Sequence, residues 1–331
     1  MSALQPLARL IAELLREDPR RCLLGEDVQN GGMLGLSRAA AEDEQLRPRL
    51  LGSPLTGVAH VAHAGGLALA GLRPIVLLPS AAALLEALVA VRELGRLRWR
   101  SGDQCSLPVL FVAPNGPGFG IGGEAAESIE ATLAAVPGLE VWSAALAEEL
   151  CGFLRSAASF EDGGSMSGPR VLLLPRSVVV RDLDLDVDLE ASLPRAPTAV
   201  IREGEHATVF AWGDALGPAL AAASACGAAD PSMSVAVVDV GRLAPLDEEL
   251  LIEQASATGK IVIAHAGSRR GGIGAELAAL FADRSILHLD APIVRVCGAL
   301  DHEGLVAGHD EHRASPSAAA IVDAITRVVH Y

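Results

Sequence analysis

Arg21-Cys22-Leu23-Leu24-Gly25 is a short apolar run closed by glycine and followed at once by two acids, Glu26 and Asp27. A run of this length between turn signals reads as a strand buried on both faces, and such strands belong to parallel sheets covered by helices. Upstream, Leu4, Leu7, Leu10, Ile11, Leu14 and Leu15 recur at three- and four-residue spacing, which predicts an amphipathic helix that Pro19 ends. Downstream, Val58 to Gly71 reads as a helix apolar on all faces, Pro74 to Leu78 as a strand, Ala81 to Leu97 as a helix and Pro108 to Ala113 as a strand. Glu140 to Ser143 and Arg170 to Leu174 read as further strands separated by an Ala-rich helix. Repeated strand–helix alternation predicts an α/β fold with a mostly parallel sheet flanked by helices.

The pattern changes after Val180, where Asp182, Asp184, Asp186 and Asp188 alternate with apolar residues. Period two spreads carboxylates along a line instead of around a point, so an extended connector is a better reading than a calcium site. A second alternation follows, with strands over Ala207–Trp212, Ser234–Asp239, Lys260–Ala264 and Ile293–Val296. Helices are expected over Gly213–Ala225, Asp247–Ala257, Gly271–Phe281 and Ser315–Val329. The expected organisation is two α/β domains, 1–180 and 200–331, joined by an acidic linker at 181–199.

Composition narrows the function. The 331 residues carry Lys+Arg 26 against Asp+Glu 41, a formal charge of −15, which repels phosphate backbones and anionic lipid and argues against nucleic-acid or membrane partners. The Gly-rich region from Pro54 to Pro79 is interrupted by His60, His63 and Arg73 and falls short of a membrane span. Five dispersed cysteines form no CxxC pair, so free thiols in a reducing cytoplasm are expected and no zinc site is. His302, His309 and His312 occupy a polar loop, read as exposed and not as a metal site.

Several stretches, in their order and spacing, resemble one family. They include Leu24-Gly25-Glu26-Asp27-Val28, Ser53-Pro54-Leu55, Ala68-Leu69-Ala70-Gly71-Leu72-Arg73-Pro74 and Pro137-Gly138-Leu139. In the second half they include Arg242-Leu243-Ala244-Pro245-Leu246-Asp247, Gly271-Gly272-Ile273-Gly274 and Asp290-Ala291-Pro292. The chain resembles the beta subunit of the thiamine-diphosphate-dependent decarboxylating component of 2-oxo acid dehydrogenase complexes, of the pyruvate, branched-chain and acetoin types, related to the second half of transketolase. The resemblance implies a pyrimidine-type domain followed by a transketolase C-terminal-type domain. It also implies thiamine diphosphate with Mg shared with a partner alpha-type subunit, a heterotetramer, and transfer of the acyl unit to an acyltransferase core or another carrier. The superfamily's diphosphate–metal motif, GDG followed by Asn, is absent, since the stretches around Asp103 and Asp214 are incomplete; the family places it in the alpha subunit.

Departures from the family matter as much as the matches. After Ser53-Pro54-Leu55-Thr56 the family has a glutamate that hydrogen-bonds the cofactor's aminopyrimidine; here the position is Gly57, and Leu55 is expected against the cofactor rings. The segment Val76 to Ala83 lacks the family's aromatic residues, and Ala125-Ala126-Glu127 stands where His-Ser-Gln is expected. If the pocket is otherwise intact, Gly57→Glu restores activity; if it is remodelled, the new carboxylate is buried without a partner. His60 and His63 read either as relocated acid–base groups or as satisfied interior histidines. Glu26 and Asp27 read either as cofactor-proximal acids at a strand's carboxyl end or as turn and capping residues. The loop Gly116 to Gly123, five glycines in eight positions, either admits a ligand to the backbone or is a mobile surface loop. The expected function is a beta-type subunit with an altered site, the alternative a catalytically inactive paralogue that supports an alpha-type chain.

Overall fold

The computed structural model describes residues 4–53, 57–102, 104–120, 127–160, 168–179, 196–298, 311 and 313–331. Leu55, Asp103, Ala125, Ala126, most of the acidic linker and the three histidines 302, 309 and 312 lie outside the described residues.

The first sheet contains β1 (Arg21–Gly25), β2 (Leu50–Gly52), β3 (Arg73–Leu77), β4 (Leu110–Asn115), β5 (Glu140–Ser143) and β6 (Arg170–Pro175). The second contains β7 (Ala199–Arg202), β8 (Ala207–Ala211), β9 (Val235–Asp239), β11 (Ile261–His265) and β12 (Val294–Cys297). One short strand from the second half, β10 (Arg242–Ala244), crosses over and pairs antiparallel with β5, so the seven-stranded order is β10-β5-β6-β4-β3-β1-β2. The five-stranded order is β12-β11-β8-β9-β7, with β7 antiparallel to β9 and the other pairs parallel.

Burial explains why these strands read as continuous apolar runs. Every residue of β1, β4 and β6 is buried, and side chains alternate between the two faces. On one face Leu23, Ile75, Leu77, Leu110, Val112, Leu172 and Leu174 pack with Leu7, Leu10, Ile11 and Leu14 of the helix Leu4–Glu17. On the other, Leu24, Val76, Phe111, Val171 and Leu173 join a cluster that runs without a break into the second half through Phe210, Ile263, Leu277 and Phe281. The two sheets therefore share one apolar core. A further cluster, including Val209, Ala211, Val262, Ala264, Ala219 and Ile325, packs the far face of the second sheet beneath the helices Leu216–Ala229 and Ala318–Val329.

Differences from the sequence reading are local. The helix expected over Ala81–Leu97 is two helices, Ala82–Glu86 and Leu88–Arg100, broken at Ala87, whose ψ of 9° leaves the helical region. Strands β2, β7 and β10, each of three or four residues, are additional to those read from the sequence. The described part of the glycine-rich loop is exposed at Gly118 and Gly120 but closely packed on its inner side. A Cβ at Gly116, where φ is +74°, would stand 2.5 Å from an Asp214 carboxylate oxygen, and one at Gly118 would overlap the Ser177 amide. The backbone approach that glycine permits is thus to the protein's own chain.

Candidate active site

Parallel sheets place ligands outside the carboxyl ends of their strands. At that end of β1 the chain turns sharply. Asp27 adopts φ 52°, its carbonyl accepts from the Asn30 and Gly32 amides, and its carboxylate accepts from Asn30 Nδ2 at 2.6 Å. Asp27 is therefore committed to a local turn, whereas Glu26 beside it is exposed. The Ser53 amide donates to the Gly25 carbonyl at 3.0 Å, which holds Ser53 against the same strand end.

The helix Gly57–Leu69 starts at this strand end and buries Gly57, His60, Val61, Ala64, Gly65 and Ala68. Its N-terminus is pressed onto the helix Ala82–Glu86. A Cβ at Gly57 would overlap the Ala83 carbonyl oxygen and lie 2.9 Å from the carbonyl carbon. His60 is sealed in the core at 1% exposure, while His63, one turn on, faces outward. The structure therefore does not bring the two histidines together at one point.

The opposite face of this helix is bare and apolar: Val58 is 50% and Leu69 55% exposed, with Ala62 and Gly66 between them. Gly66 has nothing within 4 Å of where a Cβ would stand. Gly66→Arg is expected to leave the fold intact and to abolish self-association through this face, read as a shift to smaller mass by light scattering. An unchanged assembly would reject the face as a contact surface.

A second constellation, missed in the sequence, lies where the carboxyl ends of the two sheets meet. Glu130 is buried; Asn115 Nδ2 donates to one carboxylate oxygen at 3.0 Å and Trp212 Nε1 to the other at 3.3 Å. Burial raises its pKa, and the two donated hydrogen bonds offset that only in part. The Trp212 indole stacks on His265, with centroids 4.7 Å apart and planes 7° apart. His265 Nδ1 lies 2.6 Å from the Ala266 carbonyl, which can only accept, so the proton sits on Nδ1. Nε2 is then an acceptor for the Cys297 thiol at 3.3 Å. Burial pushes the His265 pKa down to about 4 and keeps the ring neutral. Gly274 matters here because a Cβ at that position would overlap the imidazole, which explains part of the Gly271–Gly274 cluster as packing.

Beside this lies a charged junction. Arg176, 2% exposed, donates to the Gly116 carbonyl and to Ser80 Oγ, both at 2.7 Å, and Ser177 donates to Asp214. Glu311 accepts from the Gly118 and Gly120 amides at 2.8 and 3.1 Å. Burial lowers the Arg176 pKa, and Glu311 and Asp214 hold it charged. The incomplete motif around Asp214 and the glycine-rich loop from Gly116 were the sequence signals for this junction. Among the described residues no group of three His, Cys, Asp or Glu side chains is placed to hold a metal ion.

Two mostly parallel sheets flanked by helices, with strand ends from both meeting at one junction, are the architecture of the transketolase class. Residues 2–180 match the description "Transketolase, pyrimidine binding domain" and residues 197–321 "Transketolase, C-terminal domain". The chain belongs to this family, which is thiamine-diphosphate-dependent. It is 30% identical over 300 residues to the 2-oxoisovalerate dehydrogenase subunit beta of Bacillus subtilis (strain 168), covering 90% of this chain and 89% of that one. It is 28% identical over 324 residues to the mitochondrial pyruvate dehydrogenase E1 component subunit beta of Dictyostelium discoideum, covering 96% and 87%. Its fold superposes on a solved chain described as "Split gene transketolase, inactive beta4 tetramer" with a TM-score of 0.74 at 23% identity, covering 100% and 98% of the two chains.

Proposed function

We propose that the chain is the beta-type subunit of a 2-oxo acid decarboxylating assembly, paired with an alpha-type subunit that supplies the diphosphate–magnesium motif, and that its own share of the cofactor site is altered. One observation carries the second part: the Gly57 helix is packed so closely on the Ala83 carbonyl that no side chain fits at the place where the family carries its glutamate. The missing ring and the missing carboxylate explain each other. With small residues from Ser80 to Ala83 and glycine at 57, the two backbones close into space that a carboxylate and an aromatic would otherwise fill. The residues present do not fit activation of thiamine diphosphate at this position, so no proton transfer is assigned to it. The same contact favours the second reading, a catalytically silent beta-type chain that supports its alpha-type partner. Five free cysteines accord with a cytoplasmic setting.

Co-expression with an alpha-type subunit tests both parts. A stable complex is expected, with 2-oxo acid decarboxylation at least about a hundred-fold below that of the same alpha subunit paired with a beta subunit bearing the acid, the scale of one positioned acid–base group. Failure to form a complex would reject the beta-type assignment. Decarboxylation at the full rate would reject the altered site.

A further inference from the structure

We infer that a cavity at the opposite, amino-terminal edge of the first sheet is a binding site for a planar organic anion of nucleotide size, independent of the cofactor site. The cavity has a volume of about 550 Å³ and is lined by Arg98, Trp99, Trp142, Arg170 and Arg242 among others. That volume lies in the range of small-molecule sites.

Its chemistry is unlike that of the chain around it. In a protein with a formal charge of −15 and three tryptophans, three arginines and two of those tryptophans converge on one cavity. The one acid in its described lining, Glu140, is held by Arg170 at 2.9 Å. Arg170 is a wall and not a recognition group. Its guanidinium lies 4.5 Å from the Trp142 ring centroid and 4.8 Å from that of Phe160, and it donates to the Ala157 carbonyl at 2.7 Å.

A cation that remains is Arg242, whose side chain lines the cavity and is 31% exposed, although its Nε, like Trp142 Nε1, is buried. Trp142 and Arg242 are directly paired across β5 and β10, which puts both side chains on the same face of the sheet. Arg242 reaches Asp247 only at 3.8 Å. A guanidinium that is partly open to the cavity and held by its own carboxylate only at that distance takes an anionic oxygen as its partner. Trp99, 55% exposed at the mouth, presents an indole face on which a planar ring can stack. Charge at one end and a flat apolar face at the other define a nucleotide-like anion.

Titration of the full chain with ADP, adenosine and pyrophosphate, followed by calorimetry and tryptophan fluorescence, tests the site. Saturable ADP binding with altered indole emission is expected, and adenosine and pyrophosphate each bind at least about ten-fold more weakly, since each supplies only half of the recognition. Arg242→Gln and Trp99→Leu each weaken ADP about ten-fold or more. Trp99 is exposed enough that its replacement leaves the fold intact, so it decides the matter if the Arg242 variant misfolds. No saturable binding at millimolar ADP, equal binding of pyrophosphate, or unchanged affinity in the Trp99 variant would overturn the assignment.

Discussion

Gly57→Glu loosens the first domain and does not raise activity. Even Gly57→Ala must push the start of the Gly57–Leu69 helix away from the Ala83 carbonyl, because a Cβ there meets backbone and not the yielding end of a side chain. Overpacking of this kind costs about 1–3 kcal/mol or more. Glutamate adds a carboxylate at a buried position among apolar neighbours, a further cost unless it finds a hydrogen-bond donor. Urea unfolding of the wild type and both variants measures this, with the order of stability expected to be glycine, then alanine, then glutamate. An alanine variant as stable as the wild type would show that the Ala83 segment yields freely. The site could then be rebuilt by substitution, as expected for a pocket that has lost only its acid.

A comparably large effect is expected at the junction of the two sheets, where Glu130 and His265 titrate in opposite senses. Burial raises the folded pKa of Glu130, so the stability it contributes is present below the ordinary carboxylate value of 4.5 and is lost as the pH rises through its raised value. His265 is held neutral with a folded pKa of about 4 against an ordinary 6.5, so its contribution is present above 6.5 and is lost as the pH falls towards 4. The gap between those two values makes the His265 limb worth about 3 kcal/mol. Replacing His265 by Phe keeps a ring against Trp212 and removes this acid limb whatever it does to stability at neutral pH. Replacing Glu130 by Ala strands the donors of Asn115 and Trp212, at about 1–3 kcal/mol each, and flattens the loss on the alkaline side. Unfolding free energies from pH 4 to 8 check both. Parallel pH profiles for the wild type and the Phe variant would contradict the assignment to His265.

The strands that could be read from sequence are those whose environment is uniform. Leu23, Leu110 and Leu172 sit in runs buried on both faces, and a continuous apolar run reports that directly. Glu130 could not be read in this way. In an Ala-rich segment it has the pattern of a solvent-facing acid, and it is enclosed by Asn115 and by Trp212, some eighty positions on. The break at Ala87 was equally hidden, because both helices it separates keep good helix-forming residues. At the candidate site the residue pattern singles out Gly57 as unusual. It does not show that Ala83 fills the space, because that contact depends on how two helix ends pack.

The crossover of β10 bears on how the protein is made. Residues 242–244 complete the β5 edge of a sheet whose other strands end at Pro175, so that edge stays open on the ribosome until well over sixty further residues have been synthesised. An unpaired edge is a template for joining another chain, and its exposure time is set by elongation at roughly 5–20 residues per second. A gene divided within the acidic connector would make that exposure permanent in the first fragment. A cut after Pro245 would complete that edge only by dividing the second sheet between β9 and β11, so the divide between the two domains is not a divide between separable polypeptides.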